Sequence, residues 1–185
     1  MLKIWQNKYC KIEIVWNNIF FKDLRDFCRT EENQNQQKNW INKIFNLKEI
    51  EWLSVFIIPF AFGNLIWHTM LAREFANSEK VLLSIEAPFH WNETYSFRKS
   101  IFKSHNLIAI RATENDMKTL SQNLRKEKIF HYKILSNSEL SQKLFTTIAN
   151  STNEINSAHP KYSLIFNNCT TSLRTIIKKK FNLQG

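Results

Sequence analysis

The chain has 185 residues, 43 % of them hydrophobic, with fifteen phenylalanines and six tryptophans; this is enough for one packed domain, residues 1–185, and short for two. A formal net charge of +10 suits anionic partners such as a membrane surface, but no zinc-finger, RNA-sheet or basic-zipper signature accompanies it, which argues against nucleic acid. Two glycines all but exclude a phosphate-cradling loop, and the three cysteines, Cys10, Cys28 and Cys169, make neither a disulfide framework nor a metal spacing.

In chain order, Met1 to Lys8 has no uninterrupted apolar core and no small-residue cleavage site, so no signal peptide is expected and a cytoplasmic or truncated start stays open. Cys10 and Cys28 would pair only after export. Lys11 to Phe21 mixes β-branched and aromatic residues and reads as an edge or meander strand. Thr30 to Asn39 is polar and reads as an exposed loop. The spacing of Ile50, Leu53 and Val55 or Phe56 predicts a short helix over Leu47 to Phe56. The most apolar run, Trp52 to Trp67, is broken by Ser54, Pro59, Gly63 and Asn64 and is short for a membrane span; it is expected to be buried or interfacial.

Two strands follow, Trp67 to Phe75 and Lys80 to Glu86, joined through Ala76-Asn77-Ser78-Glu79. A turn centred on Asn77 sets His68 opposite Glu86, with both side chains on one face; a slip of one residue would separate them. His90 to Ser104 is a polar-aromatic connection carrying Tyr95 and Arg98, and Leu107 to Ala112 is a short strand. Thr113-Glu114-Asn115-Asp116 resembles an acidic capping box ahead of Met117, Leu120 and Leu124. Ile129 to Leu135 alternates as a strand. Ser136-Asn137-Ser138-Glu139 reads as a capping box for a long amphipathic helix through Leu140, Leu144, Ile148 and Ile155, ended by His159-Pro160. The sum is an α+β domain, a mainly antiparallel sheet packed with helices.

The chemistry concentrates at Asn167-Asn168-Cys169-Thr170-Thr171, where a cysteine meets the start of a helix marked by Leu173, Ile176, Ile177 and Phe181. Asn167 or Asn168 is the expected N-cap, and N–H groups with the positive end of the helix dipole favour a thiolate there. A lone cysteine in such a place is more often a small buried hydrophobe. A nucleophile needs a base, and among five histidines only His68 comes with a carboxylate partner, Glu86. Ser84 and Asn168 are alternative orienters of His68. Metal-ligand spacings and a Gly-x-Ser-x-Gly elbow are absent from the sequence, so no metal or other cofactor is expected.

From about Ile14 to Ile177 the chain resembles the domain family typified by the N-terminal extracytoplasmic domain of Lnb, the bacterial lipoprotein intramolecular transacylase. The resemblance is carried by Val15-Trp16-Asn17-Asn18-Ile19-Phe20, Trp40, Phe45-Asn46-Leu47, His68-Thr69-Met70, Ser84-Ile85-Glu86-Ala87, Glu93-Thr94-Tyr95-Ser96 and Asn167-Asn168-Cys169-Thr170-Thr171. Pro88 and Ser163-Leu164-Ile165-Phe166 depart from the family's pattern. The resemblance implies a papain-like, permuted NlpC-like thiol fold with Cys169, His68 and Glu86 catalytic, and Asn168, Thr170, Tyr95 and Ser84 in supporting or oxyanion roles. It implies an extracytoplasmic (periplasmic) enzyme, an acyltransferase or hydrolase, taking its acyl group from a lipoprotein or phospholipid donor through a thioester. Two other readings of the chain stand beside it: a peptidase or amidase acting on peptide or cell-wall amides, and a non-catalytic envelope-binding domain using the basic surface and the Trp52 to Trp67 apolar segment. The oligomeric state is not legible.

Overall fold

Strands dominate the first half of the chain, because its β-branched and aromatic residues alternate or run together between short polar turns. A computed structural model describes residues 8–28, 37–61, 66–86, 106–124, 128–134, 136–163 and 168–181. Within them lie β1 (Lys11–Val15), β2 (Asn18–Cys28), β3 (Gln37–Asn46), β4 (Ile50–Ala61), β5 (Ile66–Phe75), β6 (Lys80–Glu86), β7 (Ile108–Thr113) and β8 (Phe130–Ile134). The helices are α1 (Glu114–Lys118), extended by a wider π-helical stretch over Thr119–Leu124, then α2 (Ser138–Ala158) and α3 (Cys169–Phe181). The expected connection His90 to Ser104, with Tyr95 and Arg98, lies outside the described residues, as do Pro88, His105 and Asn167.

The strands form one sheet in the order β1-β2-β7-β6-β5-β4-β8, with β3 on the other edge of β2. Pairing is antiparallel except at Arg25↔Ala112, where β7 runs parallel to β2. The expected α+β class with a mainly antiparallel sheet is thus the observed one. β1 pairs with the first half of β2, and β7 meets its second half. A bulge between Phe21 and Leu24, with Asp23 at φ 59°, bends β2 between the two neighbours.

Both faces of the sheet are covered. On one, Leu144 and Ile148 of α2 and Leu173 of α3 pack on Leu53, Leu71, Leu83 and Ile85. Phe145 and Ala149 of α2 continue this layer onto Phe21, Phe45 and Phe75. On the other face, Met117 of α1 covers Phe56, Ile58, Met70, Ala72, Leu82 and Ala112. Each of the larger of these side chains, the leucines, isoleucines, phenylalanines and methionines, contributes roughly 1.5–3 kcal/mol of hydrophobic stabilisation when fully buried.

Several local expectations are corrected. Lys11 to Phe21 is not one strand: a turn at Trp16-Asn17, with Trp16 at φ 57°, divides it between β1 and β2. The helix expected over Leu47 to Phe56 is a single 3₁₀ turn, Leu47–Glu49, followed by β4. Its helix-like spacing has a sheet explanation. A bulge between Ile50 and Trp52 shifts the alternation, after which Leu53 and Phe56 are buried on opposite covered faces. Residues 37–39, read as loop, open β3. The apolar run Trp52 to Trp67 supplies β4 and the start of β5, and Ser54 within it is buried.

The capping expectations fare better. Thr113 accepts from Asp116 N–H, as read, but α1 is only five residues long. For α2 the cap is Asn137, one residue after the expected serine, and Leu140 is exposed rather than inward. His159 ends α2 in the left-handed conformation at φ 47°, the cap role read for it. All three cysteines are free thiols, Cys10 buried and Cys28 exposed.

Candidate active site

The β5–β6 hairpin sets the site. Asn77 Oδ1 accepts from Glu79 N–H at 3.0 Å, and Ser78 takes φ 62°, which closes the turn between the strands. The ladder runs from Glu74↔Lys80 to Met70↔Ser84. Two residues further in the same register, His68 comes beside Glu86, with Nε2 3.7 Å from Oε1. That is the pairing expected from the turn position.

Ser84 stands between them. Its Oγ lies 2.7 Å from His68 Nε2 and donates to Glu86 Oε1 at 2.7 Å. A hydroxyl has one proton. With that proton on Glu86, Ser84 accepts from Nε2–H, and the basic atom of the ring is Nδ1. Ser84 is fully buried, whereas the His68 and Glu86 side chains keep 16 % and 22 % of their surface. Glu86 thus lies beside His68, as expected, with Ser84, the alternative orienter, bridging the two by its hydroxyl.

Cys169 arrives from the far end of the chain as the first residue of α3. Asn168 caps the helix: Oδ1 accepts from Thr170 N–H at 3.0 Å and from Thr171 N–H at 2.9 Å, and Thr171 Oγ1 accepts from Asn168 N–H at 2.8 Å. Ser172 N–H closes the first turn on the Asn168 carbonyl at 2.9 Å. The first turn is held against β5 by Thr170 Oγ1, 2.9 Å from Thr69 Oγ1, and by Leu173 in the sheet layer. Cys169 Sγ lies 3.9 Å from the Trp67 carbonyl and 3.8 Å from Thr170 Oγ1.

Burial alone would push the Cys169 thiol up. Hydrogen bonding to His68, the charge of His68, the Thr69 N–H and the Thr170 hydroxyl outweigh it, and the net shift is downward. Four residues thus form one chain of contacts, Cys169–His68–Ser84–Glu86, drawn from β5, β6 and α3. Thr170 N–H is committed to the cap. Tyr95 lies outside the described residues.

The other cysteines and histidines are placed differently. Cys10 is pushed up to about 12, by burial first, against the lowering charge of Arg111. His131 stacks on Phe56 at 4.5 Å. Beside the site, exposed Trp67 and Phe130 approach within 6.4 Å, and Tyr132 continues that edge along β8. These aromatics were not singled out in the sequence. Their signal was available in the alternation of Phe130, Tyr132 and Ile134 on a strand whose neighbours are lysine and histidine.

Comparison with curated proteins and with solved structures gave no match. Among the described residues no helix is long and apolar enough to cross a membrane. A family model does match, over residues 36–184, a span that includes His68, Ser84, Glu86 and Cys169. The chain belongs to the Lnb N-terminal periplasmic domain family.

Proposed function

We propose that the protein is an envelope thiol acyltransferase or hydrolase that takes an acyl group from an ester, as in lipoprotein processing, onto Cys169. The observation carrying this reading is the chain Cys169–His68–Ser84–Glu86 at a capped helix N-terminus, with a thiol shifted toward the thiolate. The exposed Trp67, whose carbonyl lies 3.9 Å from the cysteine sulfur, and the exposed Phe130 and Tyr132 along the same edge favour an apolar substrate, and the +10 charge favours an anionic surface around it.

The thiolate attacks the ester carbonyl carbon, and the carbonyl electrons move to oxygen, where Cys169 N–H meets the charge. Collapse breaks the carbon–alkoxide bond, and the imidazolium of His68 gives the leaving alkoxide its proton. A thioester on Cys169 remains. His68, neutral again, then takes a proton from the acceptor as it attacks the thioester, and Cys169 leaves as the thiolate. An amine acceptor yields an amide; water yields the free acid.

The test is to incubate the purified chain with a diacylated lipopeptide and measure intact mass. A hydroxylamine-labile gain of one acyl chain is expected in the wild type, and none in Cys169→Ala. Absence of any adduct, together with cleavage of muropeptides, would replace the reading with an amidase. Absence of both, with an ordinary thiol titration, would leave a binding domain.

A further inference from the structure

Two arginines are buried on the α2-covered face of the sheet with no carboxylate partner among the described residues. Arg73 of β5 is 3 % exposed and Arg111 of β7 is 2 % exposed. Their strands flank β6, where Arg73 pairs with Val81 and Arg111 with Leu83. The two side chains therefore rise from one face, a row apart, on either side of β6.

Every partner they have is neutral. Arg73 Nη2 donates to the Ser141 carbonyl at 2.7 Å, and its guanidinium lies 5.2 Å from the Phe145 ring. Arg111 donates to the carbonyls of Cys10 and Ala149 and to the Thr152 hydroxyl. Arg73 Nε and Nη1 and Arg111 Nε are buried without a hydrogen-bond partner. The third buried arginine shows the contrast: Arg25 meets Asp116 at 2.9 Å. Burial lowers Arg73 to about 9 and Arg111 to about 10, so both still carry their charge at neutral pH. Carbonyls and hydroxyls satisfy donors, but they do not neutralise two cations in a low-dielectric layer.

Arg73 and Arg111 both line one cavity of about 30 Å³ between the sheet and α2, whose other walls, among them Phe21, Leu71, Leu83 and Ile148, are largely apolar. That space admits about one or two water-sized bodies and excludes anions with an organic tail. We propose that this cavity binds a small monovalent inorganic anion, of chloride's size and charge, between Arg73 and Arg111. A neutral water would meet the free donors but leave the charge standing. The anion would join β5, β7 and α2, on the face of the sheet away from Ser84, and so serve stability rather than the cysteine chemistry.

The test is thermal unfolding of the full chain in sodium chloride against sodium gluconate at constant ionic strength. With binding to the folded state alone, Tm should climb by about 3–6 °C for each tenfold rise in chloride above half-saturation. Arg73→Met should fold and lose that dependence. Arg73→Lys, which keeps the charge with fewer donors, serves if the methionine variant does not fold, and should weaken the dependence. Protein-dependent broadening of the ³⁵Cl resonance, reversed by bromide, should accompany it in the wild type. Equal Tm values in the two salts, or an Arg73 variant that responds to chloride as the wild type does, would overturn the assignment and refer any chloride effect to the basic surface.

Discussion

Replacing Glu86 with glutamine removes one charge from the end of the site while keeping its size. At the 3.7 Å separation of His68 Nε2 and Glu86 Oε1, two unit charges in a medium of effective dielectric about 20 attract by about 4.5 kcal/mol. That is an upper bound, because both side chains are partly exposed and the Ser84 hydroxyl still lies between them. A hydrogen bond to a charged group is worth about 1.5–3 kcal/mol. The smaller figure governs, and at 1.36 kcal/mol per pH unit it corresponds to about 1–2 units. The sign follows from the contacts. Glu86 favours the imidazolium, the imidazolium favours the Cys169 thiolate, and losing the carboxylate raises the pH at which the thiolate forms. The assay is the rate of iodoacetamide modification against pH in a Cys28→Ser background, which reads the thiolate without needing a substrate. Since Glu86 acts through Ser84, Glu86→Gln and Ser84→Ala should not add: the double variant should match the worse single one. An unmoved profile in Glu86→Gln, or fully additive shifts, would refute the relay.

His68→Ala should move the same profile further, above the ordinary cysteine range, because burial then outweighs what still lowers the thiol; a shift to lower pH would contradict the assigned causes. Asn168→Ala removes the acceptor of two N–H groups and should cost about 1 kcal/mol, with Asn168→Asp restoring it, as read from urea midpoints. Asp116→Ala strands buried Arg25 and the Phe27 N–H and should cost about 3–5 kcal/mol in the same assay, while an apolar Arg25→Met, Asp116→Leu pair should recover most of the loss. Cys10, held at about 12, should stay unmodified at pH 8 in the folded protein and react only after unfolding, which peptide mapping would show.

What the sequence made legible was local. The Asn77 turn fixed a register, the register fixed His68 and Glu86 on one face, and the period of two placed Ser84 on that face as well. Asn168 before Cys169 announced a helix cap. What it concealed came from tertiary context. A strand buried on both faces, with a bulge after Ile50, spaces its apolar residues as a helix does, so Leu47 to Phe56 misled. The turn at Trp16-Asn17 uses a tryptophan at φ 57°, where hairpin chemistry leads one to look for glycine or asparagine. The meeting of β2 with β7 at Arg25↔Ala112 joins residues far apart in the chain and has no local signature. Nor does any pattern announce that Arg73 and Arg111, in ordinary strand positions, will lie under α2.

The double covering of the sheet also bears on where the proposed chemistry sits. Between the helical layer and α1 the interior is closed, and a nucleophile there would meet no substrate. At the ends of β5 and β6, where α3 begins, His68 and Glu86 keep some exposed surface. Burial is graded across the site: Ser84 has no exposed surface, while His68, Glu86 and Cys169 keep some. A hydroxyl in that interior that donates to Glu86 is left to accept from His68, which favours the proton on Nε2. The exposed members are the ones that the proposed acyl ester would meet from outside. Substituting Ser84 by threonine, which keeps the hydroxyl but adds a methyl to a filled interior, separates the two requirements: the titration of Cys169 should survive while the fold loses about 1–3 kcal/mol to overpacking. Loss of the titration with the fold intact would show that the serine's role is not its hydroxyl.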